Sequence, residues 1–283
     1  MRLATIVEDA TMSVAVVRDG RCLRVATGDP RLDTSVRAIA ASGMDGLRHV
    51  RAWAASQPDG AYRSLEEVEI GPVVPDPGAI YTVGLNYREV GEPDTDRPAR
   101  PLIYGKAAAS VAGHGAALAW DRALTGNVDA ECELGVVIGA TATDVAPSDA
   151  MEHVFGYTCI NDISSRDPWL DGDQWLLGKS MPGFCPVGPW VVTRDEIDPE
   201  DLRLGCTING VAIQDGRTTH MRTSIVDVIA YLSRHVTLRP GDLIATGTPA
   251  RLDGPLGPDR HLQAGDVVTA WIENVGELTT TVV

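Results

Sequence analysis

The sequence predicts an α+β fold that is mainly β. Short apolar or alternating runs recur along the chain, bounded by glycine, proline and aspartate, the punctuation of strands joined by turns. Helical spacing, with apolar residues three and four apart, is confined to a few short segments. The stretch 71–78 holds three prolines and two glycines, which reads as a linker between two units.

The first unit, residues 1–70, opens with strand-like runs at Leu3–Val7, Ser13–Val17 and Cys22–Ala26, with a turn at Asp19-Gly20. Helical runs follow at Ser35–Ala41 and Leu47–Ala55. The second unit, residues 71–283, is strand-rich. Val128–Ile138 reads as one strand and Tyr157–Ile163 as another. The segment from Pro147 to Met151 and onward is expected to be helical. So is Ser224–His235, where Ile225, Val228, Ile229 and Leu232 keep helical spacing. Thr237–Thr246 carries the Pro240-Gly241-Asp242 turn and then a buried strand; Ala264-Gly265-Asp266 turns into a strand ending at Ile272. No internal repeat or low-complexity tract interrupts this pattern.

A chain of 283 residues, 44% hydrophobic and 22% charged, is long enough to bury a large core and has the composition of a soluble globular protein. Its net charge of −15 argues against nucleic acid or an anionic membrane as partner. No window approaches the length of a membrane span. Met1-Arg2-Leu3 opens into a strand-like run and not into the apolar region of a signal peptide. The five cysteines are scattered, without a CxxC pair, and read as small core residues in a reducing cytosol; a cytoplasmic location is expected.

The chemistry concentrates between Val128 and Gly139. Glu131 and Glu133 stand two residues apart on a strand and therefore share a face, while Cys132, Leu134, Val136 and Ile138 take the other face as core. Adjacent carboxylates on an apolar strand repel. Either a cation or a shared proton offsets the repulsion, or the strand is a solvated edge. A third carboxylate, Asp162, lies near the exit of Tyr157–Ile163 and favours the cation. Two glutamates and an aspartate, with no histidine or cysteine at ligand spacing, make a hard oxygen site suited to Mg2+, Mn2+ or Ca2+ and not to zinc. Three protein oxygens leave about three octahedral positions open. That is the arrangement of a Lewis acid catalyst and not of a structural clip.

Other motifs carry less. Gly178-Lys179-Ser180 is no P-loop: five residues separate Gly172 from Gly178 where the phosphate-wrapping loop needs four, and no buried strand precedes it. Thr246-Gly247-Thr248-Pro249 follows a buried strand and can offer N–H groups and a hydroxyl to an anion, or simply end the strand. Lys106, Arg166, Lys179 and Arg251 are candidate partners for an acidic substrate, and each also reads as an ordinary surface charge. His114 is a possible base, although a lone loop histidine is more often structural.

Several segments stand in a recognisable order: Tyr81 to Tyr87, Pro101 to Lys106 with Ser110, Val111 and Gly113, Asp129 to Gly139, and Gly156 to Asp167. Gln174 to Ser180, Cys185 to Pro189, Ile208-Asn209-Gly210 with Gln214, Thr219 and Met221, and Thr237 to Pro249 complete the series. Together they resemble the fumarylacetoacetate hydrolase family over most of the chain. The resemblance implies a mixed β-sandwich roll, with residues 71–283 as catalytic domain and 1–70 as a variable N-terminal accessory domain. It implies Mg2+ or Mn2+ held at Glu131, Glu133 and Asp162, with Lys179 beside the metal and the substrate oxyanion. Tyr87, Lys106, Arg166, Thr248 and Arg251 are the candidate substrate contacts, and a homodimer or a dimer of dimers is expected from the resemblance alone.

The chain departs from the family's pattern at three places. Hydrolases and decarboxylases of the family typically place a histidine three residues after the Asn-Tyr tyrosine and a glutamate three further on, a pair that activates water. Counting from Tyr87, this chain has Val90 and Pro93. Glu89 and Glu92 each stand one residue short, in a polar segment 88–100 that reads as a lid; they are the candidate replacement base or plain lid charges. Met181-Pro182 stands where Phe-Asp is common, and Ala250-Arg251 where further glycines usually follow the proline. The expected chemistry is a metal-assisted reaction of a 1,3-dicarbonyl or 2-oxo acid through an enolate, giving C–C hydrolysis. The alternatives are isomerisation or tautomerisation, decarboxylation, a biosynthetic tailoring role, or a silent metal-binding member. The partner is a small, anionic molecule.

Overall fold

The computed structural model describes residues 1–88, 98, 100–167, 170, 174–252 and 261–283. Among them the architecture is α+β and mainly β. A twelve-stranded sheet runs in the order Arg63–Ser64, Arg21–Arg24, Thr11–Arg18, Arg2–Glu8, Cys185–Thr193, Val154–Asn161, Cys132–Ile138, Leu243–Ala245, Ile80–Gly84 and Leu102–Lys106. Glu69–Ile70 adds to Arg2–Glu8 and Val111–Ala112 to Cys185–Thr193. A five-stranded sheet has the order Val211–Arg217, Arg203–Ile208, Val267–Ile272, Gly276–Val282 and Ala116–Leu118, and a small ribbon joins Val128–Asp129 to Ser164–Ser165.

Turn chemistry sets the hairpins. Asp19-Gly20 and Asn209-Gly210 take left-handed backbone at both positions (φ 50° and 70°, φ 52° and 78°). They thereby close the pairs Arg18↔Arg21 and Ile208↔Val211 with the twist that two-residue hairpins require. The helices form where spacing placed them: Val36–Ala41, capped by the Ser35 side chain, Gly43–Ser56, and Ile225–Ser233, capped by Ser224. The segment opening at Pro147 is a 3-10 helix, Pro147–His153.

Strand alternation builds two cores on the large sheet. Cys132, Leu134, Val136 and Ile138 face the five-stranded sheet and pack with Leu204, Cys206, Val268, Ala270 and Leu278. Val137 and Ile160 face the other way, into a core with Leu3, Val36, Ile39, Leu47 and Val50. All five cysteines are buried and free. The first seventy residues share this second core and the large sheet, because Arg2–Glu8 pairs with Cys185–Thr193 (Leu3↔Val191). Local pattern carries no signal of that pairing, which spans 188 residues.

Two strand boundaries differ from expectation. The run from Val128 to Ile138 breaks at Ala130-Glu131, because the Glu131 N–H bonds to Asn161 Oδ1 (3.1 Å) and leaves the ladder. The second strand spans Val154–Asn161 and stops just before Asp162, whose N–H bonds to the Glu131 carbonyl (2.8 Å).

Candidate metal centre

The antiparallel pair Cys132↔Asn161 places the residue before one strand beside the residue after the other. Glu131 and Asp162 therefore meet at one end of the sheet, and Glu133, two residues on from Glu131, joins them. One carboxylate oxygen from each lies within 4.8 Å of the others. Glu133 and Asp162 are buried; the Glu131 side chain keeps 12% of its surface.

Cations surround the triad. Lys179 follows the short helix Trp175–Gly178, and its Nζ donates to Glu131 Oε2 (2.8 Å) and Asp162 Oδ2 (2.6 Å). The Tyr104 ring lies 5.0 Å from that ammonium, and the Tyr104 hydroxyl donates weakly to Asp162 (3.4 Å). Lys106, at the end of Leu102–Lys106, donates from a fully buried Nζ to Asp162 Oδ1 (2.5 Å) and to the Ile163 carbonyl (3.1 Å). Arg166 bonds Glu131 and, at 3.3 Å, Asp129; Arg251 reaches the other Asp129 oxygen at 2.8 Å. The Gly247 N–H donates to Glu133 Oε2 (2.7 Å).

These contacts set opposite tendencies on neighbouring groups. Burial disfavours the Glu131 anion, but the Arg166 and Lys179 charges override it and hold that carboxyl below its ordinary range. Burial, with the Asp162 and Glu131 charges beside it, pushes Glu133 well above the carboxylate range, against Lys179 and the Gly247 N–H. Burial would lower the Lys179 ammonium; Asp162 and Glu131 outweigh it and raise it well above the usual lysine range. A triad in which one carboxyl resists ionisation until more positive charge arrives suits a divalent cation. The all-oxygen donor set fits Mg2+ or Mn2+.

Of the other candidate residues, Thr248 donates to the Cys132 carbonyl (2.8 Å) and accepts from Gln214 Nε2 (2.7 Å), so its hydroxyl is already engaged. Gln214 also accepts from the Cys132 N–H (2.9 Å), tying the loop after Leu243–Ala245 to the strand of Glu133. Tyr87 is buried, with its hydroxyl near Thr246 but outside hydrogen-bond geometry. His114 accepts from the Thr279 N–H (3.3 Å), and burial lowers its basicity. Glu89, Glu92, Val90 and Pro93 lie outside the described residues.

Asp129 and Asn161 were not singled out in the sequence. Asp129 carries a legible signal, since it continues the alternation of Glu131 and Glu133 at i, i+2, i+4. Asn161 has no local signal.

The fumarylacetoacetate hydrolase C-terminal family model matches residues 79–283. A fumarylacetoacetate hydrolase from Exiguobacterium antarcticum superposes with a TM-score of 0.87 at 32% identity, over 100% of this chain and 99% of that one. A maleylpyruvate hydrolase from Sphingobium sp. SYK-6, solved with manganese(II) and pyruvate, gives 0.82 at 28% identity over 100% and 99%. A 5-carboxymethyl-2-hydroxymuconate delta-isomerase from Mycobacterium smegmatis gives 0.78 at 28% identity over 100% and 98%. The family therefore includes hydrolases and isomerases, and among the described residues no helix is long and apolar enough to cross a membrane. With the family model covering most of its length and the acidic triad in place, the chain belongs to the fumarylacetoacetate hydrolase family.

Proposed function

We propose that this protein is a divalent-metal-dependent enzyme that converts a small anionic 1,3-dicarbonyl or 2-oxo acid through an enolate, with C–C bond hydrolysis as its outcome. The observation that carries this reading is Lys179 Nζ within 2.8 Å of Glu131 and 2.6 Å of Asp162, a buried ammonium inside a carboxylate triad. Glu131, Glu133 and Asp162 would hold Mg2+ or Mn2+, which supplies Lewis-acid polarisation of a carbonyl oxygen. Lys179, kept protonated by the same carboxylates, stabilises negative charge as it develops on the substrate oxygen. Lys106 holds Asp162 in place from behind, and Arg166 does the same for Glu131. The Gly247 N–H supports Glu133, and the buried Tyr87 lies within reach of that carboxylate's charge.

One observation favours a second reading. Val90 and Pro93 stand where the family's water-activating histidine and glutamate are expected, and reprotonation of an enolate needs fewer groups than attack by water. Isomerisation or tautomerisation then replaces cleavage.

A panel of acylpyruvates, oxaloacetate and related 1,3-dicarbonyls, assayed with added Mg2+ or Mn2+ and with product analysis, tests both. Cleavage products support the hydrolase, and deuterium exchange at the activated carbon without cleavage supports the isomerase. Absence of any metal-dependent turnover or exchange would leave a silent metal-binding protein. The functional unit is proposed to be a homodimer; a monomeric mass by light scattering at micromolar concentration would contradict that.

A further inference from the structure

Two successive backbone N–H groups at the start of the triad strand are held by side chains. The Glu131 N–H donates to Asn161 Oδ1 (3.1 Å), and the Cys132 N–H donates to Gln214 Oε1 (2.9 Å). Both acceptors are carboxamides, where a strand ordinarily uses main-chain carbonyls. The Glu131 carbonyl accepts from the Asp162 N–H (2.8 Å), and the Cys132 carbonyl from the Thr248 hydroxyl (2.8 Å). The main chain at Glu131 and Cys132 is therefore held at every polar group it has.

Both carboxamides lie on the face of the sheet away from the triad. Asn161 stands opposite Cys132 and continues the face of Tyr157 and Cys159, which pack in the core against the five-stranded sheet. Gln214 belongs to that five-stranded sheet and is buried. Glu131 and Glu133 alternate with Cys132 and Leu134, so their carboxylates take the opposite face.

The chemistry of the clamp fits its place. Asn161 is fully buried, and its Nδ2 has no hydrogen-bond partner among the described residues, which is unfavourable for stability. An aspartate or glutamate would accept the same N–H bonds more strongly, but it would add negative charge behind three carboxylates. A neutral amide supplies the acceptor without the charge. Glu131 needs such a hold, because it precedes the strand and its carboxylate is drawn to Arg166 through one oxygen and to Lys179 through the other.

We propose that Asn161 and Gln214 are positioning residues that act on the triad from the reverse face of the sheet. Their carboxamides lock the main chain at Glu131 and Cys132, so the Glu131 carboxylate keeps its place beside Glu133 and Asp162 whichever cations it meets. This rests on the reading of the triad as a metal site.

A Mn2+ titration followed by EPR, with amide hydrogen exchange and Tm of the metal-free protein, tests it on the full chain. Asn161→Ala and Gln214→Met should each weaken Mn2+ binding about tenfold or more, the scale for losing a group that orients a metal ligand. Exchange should speed up about tenfold or more at the Glu131 N–H in Asn161→Ala and at the Cys132 N–H in Gln214→Met, while the N–H groups of residues 134–138 keep their protection. Asn161→Asp keeps an acceptor oxygen and should keep slow exchange at Glu131. Leu204→Ala is the control: it opens the core on the same face and leaves both N–H bonds in place. It should lower Tm while Mn2+ affinity stays within about twofold. Should Asn161→Ala not fold, Gln214→Met reads the same outcome at Cys132. Amide variants that lower Tm as Leu204→Ala does but bind Mn2+ like the unmodified protein would overturn the positioning role. An equal loss of Mn2+ affinity in Leu204→Ala would overturn it too. Failure of the unmodified protein to bind Mn2+ would instead defeat the triad reading, and the clamp's role with it.

Discussion

Asp162 donates its backbone N–H to the carbonyl of Glu131 at 2.8 Å, so two of the three carboxylates are tied through the main chain before their side chains meet. Their separation is a property of the strand pair and not of any ion. Such a site resists relaxation when repulsion builds, and it is therefore ready for a cation.

Metal loading should stabilise the fold. Mn2+ at about 100 times its dissociation constant contributes about 2.7 kcal/mol, read as a rise in Tm. Glu131→Gln, Glu133→Gln and Asp162→Asn should each lose that rise. Glu133→Gln should also keep the metal-free Tm, because burial, Asp162 and Glu131 already disfavour the Glu133 anion. A Tm rise that persists in all three variants would place the metal elsewhere, as would a Mn2+-soaked crystal with no anomalous peak between these side chains.

Lys179→Met should lower kcat by about 10²–10³-fold, the scale for losing one preorganised oxyanion partner. Mn2+ affinity should hold or rise, since Glu131 and Asp162 lose a competing cation. Steady-state kinetics beside a Mn2+ titration followed by EPR separates the two effects. Unchanged kcat with weakened binding would count against an oxyanion role.

Lys106 serves stability. Its ion pair with Asp162 is fully buried on both sides, and removing one partner of such a pair costs about 3–5 kcal/mol. Lys179 still faces Asp162, so Lys106→Met should fall near the lower end. Urea unfolding of the metal-free protein measures it; a loss below about 1 kcal/mol would mean the pair is better solvated than its burial indicates.

Gly247 holds φ +94°, and a Cβ there would lie 2.7 Å from Asn86 Cβ and 2.9 Å from the Val83 carbonyl oxygen. Gly247→Ala should destabilise the fold by about 1–3 kcal/mol. It should also weaken Mn2+ binding by shifting the N–H that supports Glu133. Wild-type Mn2+ affinity in this variant would show that the Gly247 contact does not orient the carboxylate.

On the proposed function, the identity of residues 89–93 decides between water attack and reprotonation. On the isomerase reading, with Val90 and Pro93 at the expected positions, ordinary acylpyruvates should be cleaved poorly while enolisation, followed as deuterium exchange, persists. If cleavage occurs, Glu89→Gln or Glu92→Gln should suppress it. Robust hydrolysis in the double variant would move water activation away from the lid.

The triad was legible because its signal is local. Two glutamates in strand alternation and an aspartate at the end of the next long apolar run announce a shared face, whatever the partner strands turn out to be. The hairpin turns were legible for a similar reason, since Asp19-Gly20 closes a two-residue turn from its own backbone preference. The break at Ala130-Glu131 was not, because Asn161, thirty residues on, supplies the bond that pulls Glu131 out of the ladder.

By itself, then, the sequence determined the alternation that sets Glu131 and Glu133 opposite the core, the helices at Val36–Ala41 and Ile225–Ser233, and the oxygen-only chemistry of the acidic residues. The tertiary structure decided which cations answer them. Lys106, Lys179, Arg166 and Arg251 come from four separate segments, and only the closed sheet sorts them: Lys106 to Asp162, Lys179 between Asp162 and Glu131, Arg251 to Asp129, and Arg166 between Asp129 and Glu131. Charge pairing acts through space with little regard for sequence separation, whereas hydrophobic periodicity is written along the chain. That is why Lys106 looks like an ordinary charged residue in the sequence and lies fully buried against Asp162 in the fold.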